Sequence, residues 1–517
     1  MTTGAESLLA TLEANDVDVC FANPGTSEMH FVSALDRADR IRGVLALFEG
    51  VVTGAADGYG RMTGNPAATL LHLGPGLANG LSNMHNALRS QSPIVNVIGD
   101  HATYHRDLDA PLTSDIEGAA RPFSHWVRTT PTADSLGQDT AEAVRVSREG
   151  KIASLILPAD AAWTEVDAAN PIAVKAGEPA PDPHVPDGAL EAAARVLREE
   201  GSRTAILLGP RSATPDALAA ADAIAAATGS QVLLNTFMSV ISRGAGRHGA
   251  QRIPYPVPQS QELLSKFDNI LLVGAKPPVA FFAYPDKPSR LYQPGTRFID
   301  LTDGFQRTVE SLESLRSELG NTVDTPALEL QLPGLPTGEI TPEKLGVFLG
   351  HSLPEHAVVV DESITTGRSF GEATDAARPH EWLTGTGGSI GYGMAASVGA
   401  AIARPDQPVI TLEADGSGMY MPQALWTQAR EALNITTLIF SNRKYQILRN
   451  EMTNVGVPKF GPKAEALLDL NNPGIDWVQL SESMGVPARR ATTIEELQAA
   501  FTAALEEDGP HLIEVML

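Results

Sequence analysis

Glu413 to Tyr445 reads EADGSGMYMPQALWTQAREALNITTLIFSNRKY, and this stretch decides the fold. An apolar run, Pro408 to Leu412, leads into Ala414-Asp415-Gly416-Ser417-Gly418. A segment with Leu425, Trp426 and Ala429 at helical spacing follows, and a second apolar run, Ile435 to Phe440, ends in Ser441-Asn442. Strand, Gly-rich turn, helix and strand in that order make one βαβ unit of a parallel sheet. Asp415 and Asn442 are then expected at the carboxyl ends of two parallel strands, the edge where open α/β sheets take their ligands. Asp415 brings a carboxylate and Asn442 an amide oxygen, hard donors suited to Mg²⁺. Gly416 and Gly418 let backbone N–H groups approach a phosphate at a helix start. Taken singly, each residue also suits an Asp-capped turn. Taken together, after two strands, they favour a metal–diphosphate site.

With these residues the chain resembles the thiamine-diphosphate enzymes of the acetolactate synthase, pyruvate decarboxylase and benzoylformate decarboxylase group. The cofactor motif of that group begins Gly-Asp-Gly and ends Asn-Asn; here it reads Ala414-Asp415-Gly416 and Ser441-Asn442, with two positions substituted. The resemblance implies that Asp415, Gly416 and Ser417 serve the cofactor. It also implies that Asp415, Asn442 and the main-chain carbonyl of Lys444 hold Mg²⁺.

Working outward, the 517 residues suffice for about three domains. The net charge of −24 makes nucleic acid and anionic membrane surfaces poor partners, so a diphosphate must be held by a local metal and backbone amides. The single cysteine, Cys20, excludes an intrachain disulfide framework and suits a reducing cytoplasm. No signal peptide and no apolar run of membrane-spanning length is read.

Residues 1–165 alternate helical and strand patterns: Ala5 to Ala14 is amphipathic, and apolar runs fall at Val17–Ala22, Val44–Phe48, Ala67–Leu73, Ile94–Ile98 and Ser154–Leu157. A Pro-rich linker, Glu178 to Pro186, precedes residues 187–325, with strand candidates Thr204–Leu208, Gln231–Leu234, Ile270–Val273 and Arg297–Asp300. A second break, Leu332-Pro333-Gly334-Leu335-Pro336-Thr337, precedes residues 340–517. The expected fold is α/β: three doubly wound parallel-sheet domains. In the resembling group these are the pyrimidine-binding, central and diphosphate-binding domains.

Leu45-Ala46-Leu47-Phe48-Glu49-Gly50 puts one carboxylate at the end of an apolar run, before the helix-like VVTGAADGYG from Val51 to Gly60. A helix-start acid that favours the dipole is the plain reading. The resemblance makes Glu49 the catalytic carboxylate that shares a proton with the cofactor's aminopyrimidine. Gly387-Gly388-Ser389-Ile390-Gly391 resembles the segment that bends the cofactor, with Ile390 as the wedge and the Gly388 carbonyl as an acceptor. Thr365, in Glu362-Ser363-Ile364-Thr365-Thr366, matches a phosphate-contacting position, though it also suits a helix cap.

Asn23-Pro24-Gly25-Thr26 is similar to the Asn-Pro-Gly-Ser loop of benzoylformate decarboxylases, so Thr26 is expected at the substrate carboxylate. His72 lies where that group has an active-site histidine and is expected to relay protons; a buried structural histidine is the alternative. The second histidine of that group aligns with Phe282, and His101 and His105 in GDHATYH are substitute candidates. NPGTSEMH from Asn23 and FFAYPDKP from Phe281 are similar to acetolactate-synthase-like chains of actinobacterial type. Acetolactate synthases proper also bind FAD, but Leu208-Gly209-Pro210-Arg211 is too short for a dinucleotide fingerprint, and FAD is not predicted.

The resemblance implies an enzyme that attacks a small 2-oxo acid through a C2 carbanion, expels CO₂ and forms an enamine. Protonation of the enamine would make it a decarboxylase, and capture by a second carbonyl a carboligase. It further implies a homodimer or homotetramer with active sites shared between copies. Alternatives are a 2-hydroxyacyl-thioester lyase on the same cofactor, for which no basic patch is evident, and a silent paralogue, against which Glu49 speaks. A dehydrogenase would need a Gly-x-Gly-x-x-Gly unit that the sequence lacks.

Overall fold

Runs such as TAILL at Thr204–Leu208 and ITTLIFS at Ile435–Ser441 are buried along their whole length, with no polar face turned to water. That pattern belongs to parallel strands covered by helices on both sides, and the computed structural model is built this way. It describes residues 2–180, 185–186, 188–302, 304–457 and 459–517. Residues 181–184 of the first linker, and residues 1 and 187 at expected domain limits, lie outside the described residues.

The first sheet has six strands, all paired in parallel, in the spatial order Arg42–Leu45, Val19–Ala22, Ala67–Leu71, Ile94–Asp100, Ile152–Pro158, Trp126–Thr129. The second has five parallel strands: Gln251–Arg252, Gln231–Leu234, Thr204–Leu208, Asn269–Val273, Arg297–Thr302. The third has seven: Ala488–Ala491, His511–Met516, Ile435–Ser441, Val409–Ala414, Val358–Glu362, His380–Thr384, Val240–Arg243. Its last strand is antiparallel and comes from the middle of the chain, with Ile241 opposite Trp382. The middle segment therefore lends one edge strand to the third sheet.

The outer domains share one core. Helix Glu49–Thr63 lies on helix Gly393–Ala403, and their apolar residues belong to one buried cluster. The contact is so close that a Cβ at Gly58 would sit 2.0 Å from the Ala396 carbonyl oxygen, and one at Gly399 1.8 Å from that of Ala55. The glycines of VVTGAADGYG thus have a packing reason. Arg61, on the same helix, is fully buried and forks onto Asp57, with Nε–Oδ1 at 2.9 Å and Nη2–Oδ2 at 2.5 Å. Its Nη1 donates to the Thr384 carbonyl at 2.7 Å, locking the first domain onto the third.

Candidate active site

Parallel strands end in loops on one edge, and the candidate site residues, Phe282 apart, lie just past such an end or in the loop it opens. Thr26 lies beyond Val19–Ala22, Glu49 beyond Arg42–Leu45 and His72 directly after Ala67–Leu71. Thr365 lies beyond Val358–Glu362, the Gly387–Gly391 turn beyond His380–Thr384, Asp415 directly after Val409–Ala414, and Asn442 directly after Ile435–Ser441. Three non-glycine residues at these ends hold a left-handed backbone: Leu73 (φ 43°), Ile364 (φ 52°) and Arg443 (φ 55°). Each costs about 1–3 kcal/mol, and such strain gathers at functional sites.

Glu49 opens its helix and is buried at 5% exposure. Asn79 Nδ2 donates to its Oε2 at 3.0 Å. Asn79 lies on helix Leu73–Ser90, and Asn83 and Asn86 follow at helical spacing. Asn83 donates to the Gly50 carbonyl at 2.9 Å and to Met421 Sδ at 3.1 Å. Asn86 exchanges two hydrogen bonds with the backbone of Ser389, at 2.8 and 3.1 Å. One asparagine stripe therefore ties the Glu49 helix start to the Gly387–Gly391 turn within the chain. Beside that turn, Gly388 faces Phe281 so closely that a Cβ there would lie 2.4 Å from its Cζ. Gly388 itself has φ +73°, and Ile390 is half-buried.

Asp415 is 3% exposed. Its Oδ1 accepts from Gly416 N–H at 2.9 Å and its Oδ2 from Arg443 N–H at 2.6 Å, so the Asn442 loop is fastened beside it. Asn442 Oδ1 accepts from Lys444 N–H at 3.0 Å. Burial pushes the Asp415 carboxyl up to about 6, against those two N–H bonds, which lower it. A carboxylate hidden in this way gains from a divalent cation, and the nearby amide and main-chain oxygens suit a hard one. No cluster of three or more His, Cys, Asp or Glu side chains placed to hold a metal occurs among the described residues. Of the three donors Asp415, Asn442 and Lys444, only Asp415 brings a carboxylate.

The Ser417 hydroxyl points inward. It donates to Glu413 Oε1 and, at 3.1 Å, to the Ala414 carbonyl, which leaves its backbone N–H as the group available to a diphosphate. Glu413 is fully buried beside buried Glu362, whose oxygens accept from Gly391 N–H at 2.9 Å and Gly393 N–H at 2.8 Å. Burial pushes Glu362 up to about 7. Burial, and then the charge of Glu362, push Glu413 well above the carboxylate range. With its carboxyl held in the protonated range, Glu413 donates a hydrogen bond to Glu362. This acid pair braces the Gly391 turn against the Asp415 helix.

His72 is partly exposed, and its Nδ1 meets Glu28 Oε2 at 2.9 Å. Thr26, exposed, heads the 3₁₀ turn Thr26–Glu28. Thr365 is half-buried before the turn Thr366–Ser369. Phe282 is exposed and packs edge-on against Phe281 and Tyr284. The His101 and His105 rings face each other at 5.2 Å, and no hydrogen bond joins either to His72 or Glu49 among the described residues.

Two family models match these two edges: the thiamine pyrophosphate enzyme N-terminal TPP binding domain over residues 2–120, and the corresponding C-terminal TPP binding domain over residues 366–515. The chain belongs to the thiamine pyrophosphate enzyme family. It is 48% identical over 516 residues to the "Putative acetolactate synthase large subunit IlvX" of Mycobacterium tuberculosis, covering 99% of both chains. It is 28% identical to the benzoylformate decarboxylase of Pseudomonas aeruginosa, covering 98% of this chain and 97% of that one. The solved thiamine diphosphate-dependent 4-hydroxybenzoylformate decarboxylase of Rhodococcus jostii superposes with a TM-score of 0.85 at 25% identity, covering 100% of this chain and 99% of that one. The protein is therefore a thiamine-diphosphate-dependent enzyme of the acetolactate synthase and benzoylformate decarboxylase type.

For this family member, sequence reasoning missed Glu28, the Asn79-Asn83-Asn86 stripe and the Glu362–Glu413 pair. The stripe was visible as asparagines four and three residues apart on one helix face. The two acid contacts join residues far apart in sequence and left no local signal.

Proposed function

We propose that this enzyme binds thiamine diphosphate with Mg²⁺ and removes CO₂ from a small 2-oxo acid, releasing an aldehyde or passing the acyl unit to a second carbonyl. The observation that carries the reading is Asp415: a buried carboxylate with its pKa pushed up, set beside Asn442 at a helix start. When bound, the cofactor supplies the nucleophilic carbon and the electron sink.

The chain's own residues have the following roles. Asp415, the Asn442 amide oxygen and the Lys444 carbonyl would hold the metal, while Thr365 and the N–H groups of Gly416 and Ser417 would hold the diphosphate. Ile390 and the Gly388 carbonyl would line the cofactor's place, Ile390 as an apolar support and the carbonyl as a hydrogen-bond acceptor. Glu49, kept from water and fixed by Asn79, holds and returns a proton at the pyrimidine ring. Thr26 gives a hydroxyl to the substrate carboxylate, and His72 moves a proton through Nε2.

The rim carries exposed apolar side chains: Leu47 beside Glu49, Tyr420 beside the Gly391 turn, and Phe281 over Gly388. A second copy of the chain covering this rim gives a homodimer, or a tetramer of two such dimers, with each site drawing Glu49 and Asp415 from different copies. Cys20 is buried and its thiol is pushed up to about 12, inert in the reducing cytoplasm proposed for the enzyme.

The test is a screen of 2-oxo acids with added thiamine diphosphate and Mg²⁺, following CO₂ release and ligated product. Cofactor-dependent CO₂ release from at least one acid is expected. Turnover of 2-hydroxyacyl thioesters with none of 2-oxo acids would overturn the assignment.

A further inference from the structure

We propose that Glu28 is the positioning residue that sets the tautomer of His72 and so decides which ring nitrogen faces the substrate. The proposal rests on the reading of His72 as the proton carrier. Glu28 is 1% exposed, at the end of the loop that follows Val19–Ala22. Its Oε2 accepts from Gly25 N–H at 2.8 Å and meets His72 Nδ1 at 2.9 Å; its Oε1 accepts from Ser27 Oγ at 2.7 Å.

An ionised carboxylate can only accept, so the proton of the Glu28–His72 contact belongs to Nδ1. Neutral His72 then carries its lone pair on Nε2, away from Glu28. The Ser27 hydroxyl stands 3.4 Å from the same Nδ1 but is directed to Glu28 Oε1, so it does not compete as a donor.

The pair is clamped by two glycine backbones. A Cβ at Gly99, in the strand Ile94–Asp100, would fall 1.6 Å from Glu28 Oε1. A Cβ at Gly25 would fall 2.1 Å from His72 Nδ1. Any side chain at either position would push the carboxylate or the imidazole out of line. Three successive strand ends of the first sheet thus converge on one contact. A loop brace for the Gly25 N–H alone needs neither the imidazole nor the gap at Gly99.

The experiment is a double-mutant cycle on the full-length protein, reconstituted with thiamine diphosphate and Mg²⁺ and assayed on the 2-oxo acid that it turns over. Glu28→Gln keeps the shape, but its amide can either accept from Nδ1 or donate to it. kcat should fall by at least ~10-fold, within the ~10²–10⁴-fold that a general acid–base group contributes. KM and cofactor content should stay within about threefold. In the His72→Ala background the same change should cost nothing further, because Glu28 acts through His72.

The ¹⁵N shifts of His72, assigned by difference with His72→Ala, should report Nδ1–H in the wild type and a mixture in Glu28→Gln. Glu28→Asp, which keeps the charge but draws it back by one methylene, should fall between wild type and Glu28→Gln. It also replaces Glu28→Gln in the cycle if that variant does not fold. Equal losses in the His72 and His72→Ala backgrounds would overturn the proposal, and so would an unchanged tautomer. If His72→Ala itself leaves turnover untouched, the relay reading fails, and the ¹⁵N shifts still decide what Glu28 does.

Discussion

Replacing Asp415 with Asn should separate what the site needs from what the fold prefers. Burial moves the Asp415 carboxyl from the ordinary 3.8 to about 6 in the metal-free protein. Its ionised form is therefore worse off folded than unfolded. Below pH ~3.8 the group is protonated in both states and costs nothing; as pH rises through about 6, the folded state is made to ionise a buried group, and stability is lost. At 1.36 kcal/mol per pKa unit, the interval from 3.8 to about 6 corresponds to about 3 kcal/mol, fully developed above pH ~7. Asn cannot ionise. It does turn one acceptor into a donor facing Gly416 N–H or Arg443 N–H, a cost of ~1–3 kcal/mol that does not vary with pH. The assay is urea unfolding of metal-free wild type and Asp415→Asn at several pH values between 4 and 8. Tryptophan fluorescence is the probe, because Trp382 and Trp477 are buried in the third domain. The variant should gain on wild type by about 2.5 kcal/mol between pH 4 and pH 8, while losing retention of thiamine diphosphate and Mg²⁺. A difference independent of pH would refute the account of Asp415 as a destabilised carboxylate awaiting a cation. Normal cofactor retention by the variant would refute its role as ligand.

Other expectations follow from the same geometry. Glu49→Gln should retain cofactor by equilibrium dialysis yet lose ~10²–10⁴-fold in kcat, since the amide cannot take a proton; turnover within tenfold of wild type would count against it. Arg61→Met leaves Asp57 buried without its counter-charge, held only by the Ser90 and Ser92 hydroxyls, and should cost about 3–5 kcal/mol in chemical denaturation, with part of that recovered in Arg61→Met/Asp57→Leu. Mixing Glu49→Gln with Asp415→Ala protein after reversible dissociation should restore roughly a quarter of wild-type activity, if each site draws one residue from each copy of a two-fold dimer. No recovery, with heterodimers verified, would place both residues of a site on one chain.

How much of this was legible depended on whether the signal was local. Thr204–Leu208 and Gln231–Leu234 are apolar runs and stand as strands where the sequence places them. Trp126–Thr129, His380–Thr384, Ala488–Ala491 and His511–Met516 escaped because charged or polar residues interrupt them. Glu514 shows why such interruptions are tolerated: it is fully buried in mid-strand, and Arg490 on the adjoining strand reaches it at 2.8 Å. Val240–Arg243 was missed for another reason. Its partner lies well over a hundred residues later, so nothing nearby marks it as the edge of the third sheet. The strand-end positions of Thr26, Glu49, His72, Asp415 and Asn442 could be read from hydrophobic runs that stop at glycine, asparagine, glutamate or aspartate; that of Gly388 and Ile390 could not, because His380–Thr384 escaped. Which side chains hold one another could not, because Glu28 with His72 and Asn86 with Ser389 are tertiary contacts.

The same division explains where the chain departs from local consistency. Ile364 is β-branched, and a left-handed backbone suits it poorly; Leu73 and Arg443 are hardly better. Asp415, Glu362 and Glu413 are acids in interiors that would be more stable without charge. These choices cost the fold stability even where they brace a turn, and all of them flank the edge where the first and third sheets present their strand ends. Much of the rest of the chain follows the ordinary rules, with apolar strands, alanine-rich helices, and glycine where helices touch, though Glu514 and the Arg61–Asp57 pair are buried charges away from that edge. A site proposed to receive a polyanion and a cation cannot fill itself with its own best-paired groups. Among these terms the buried Asp415 charge is the one that a bound cation would relieve, so the loaded enzyme should gain stability over the empty one.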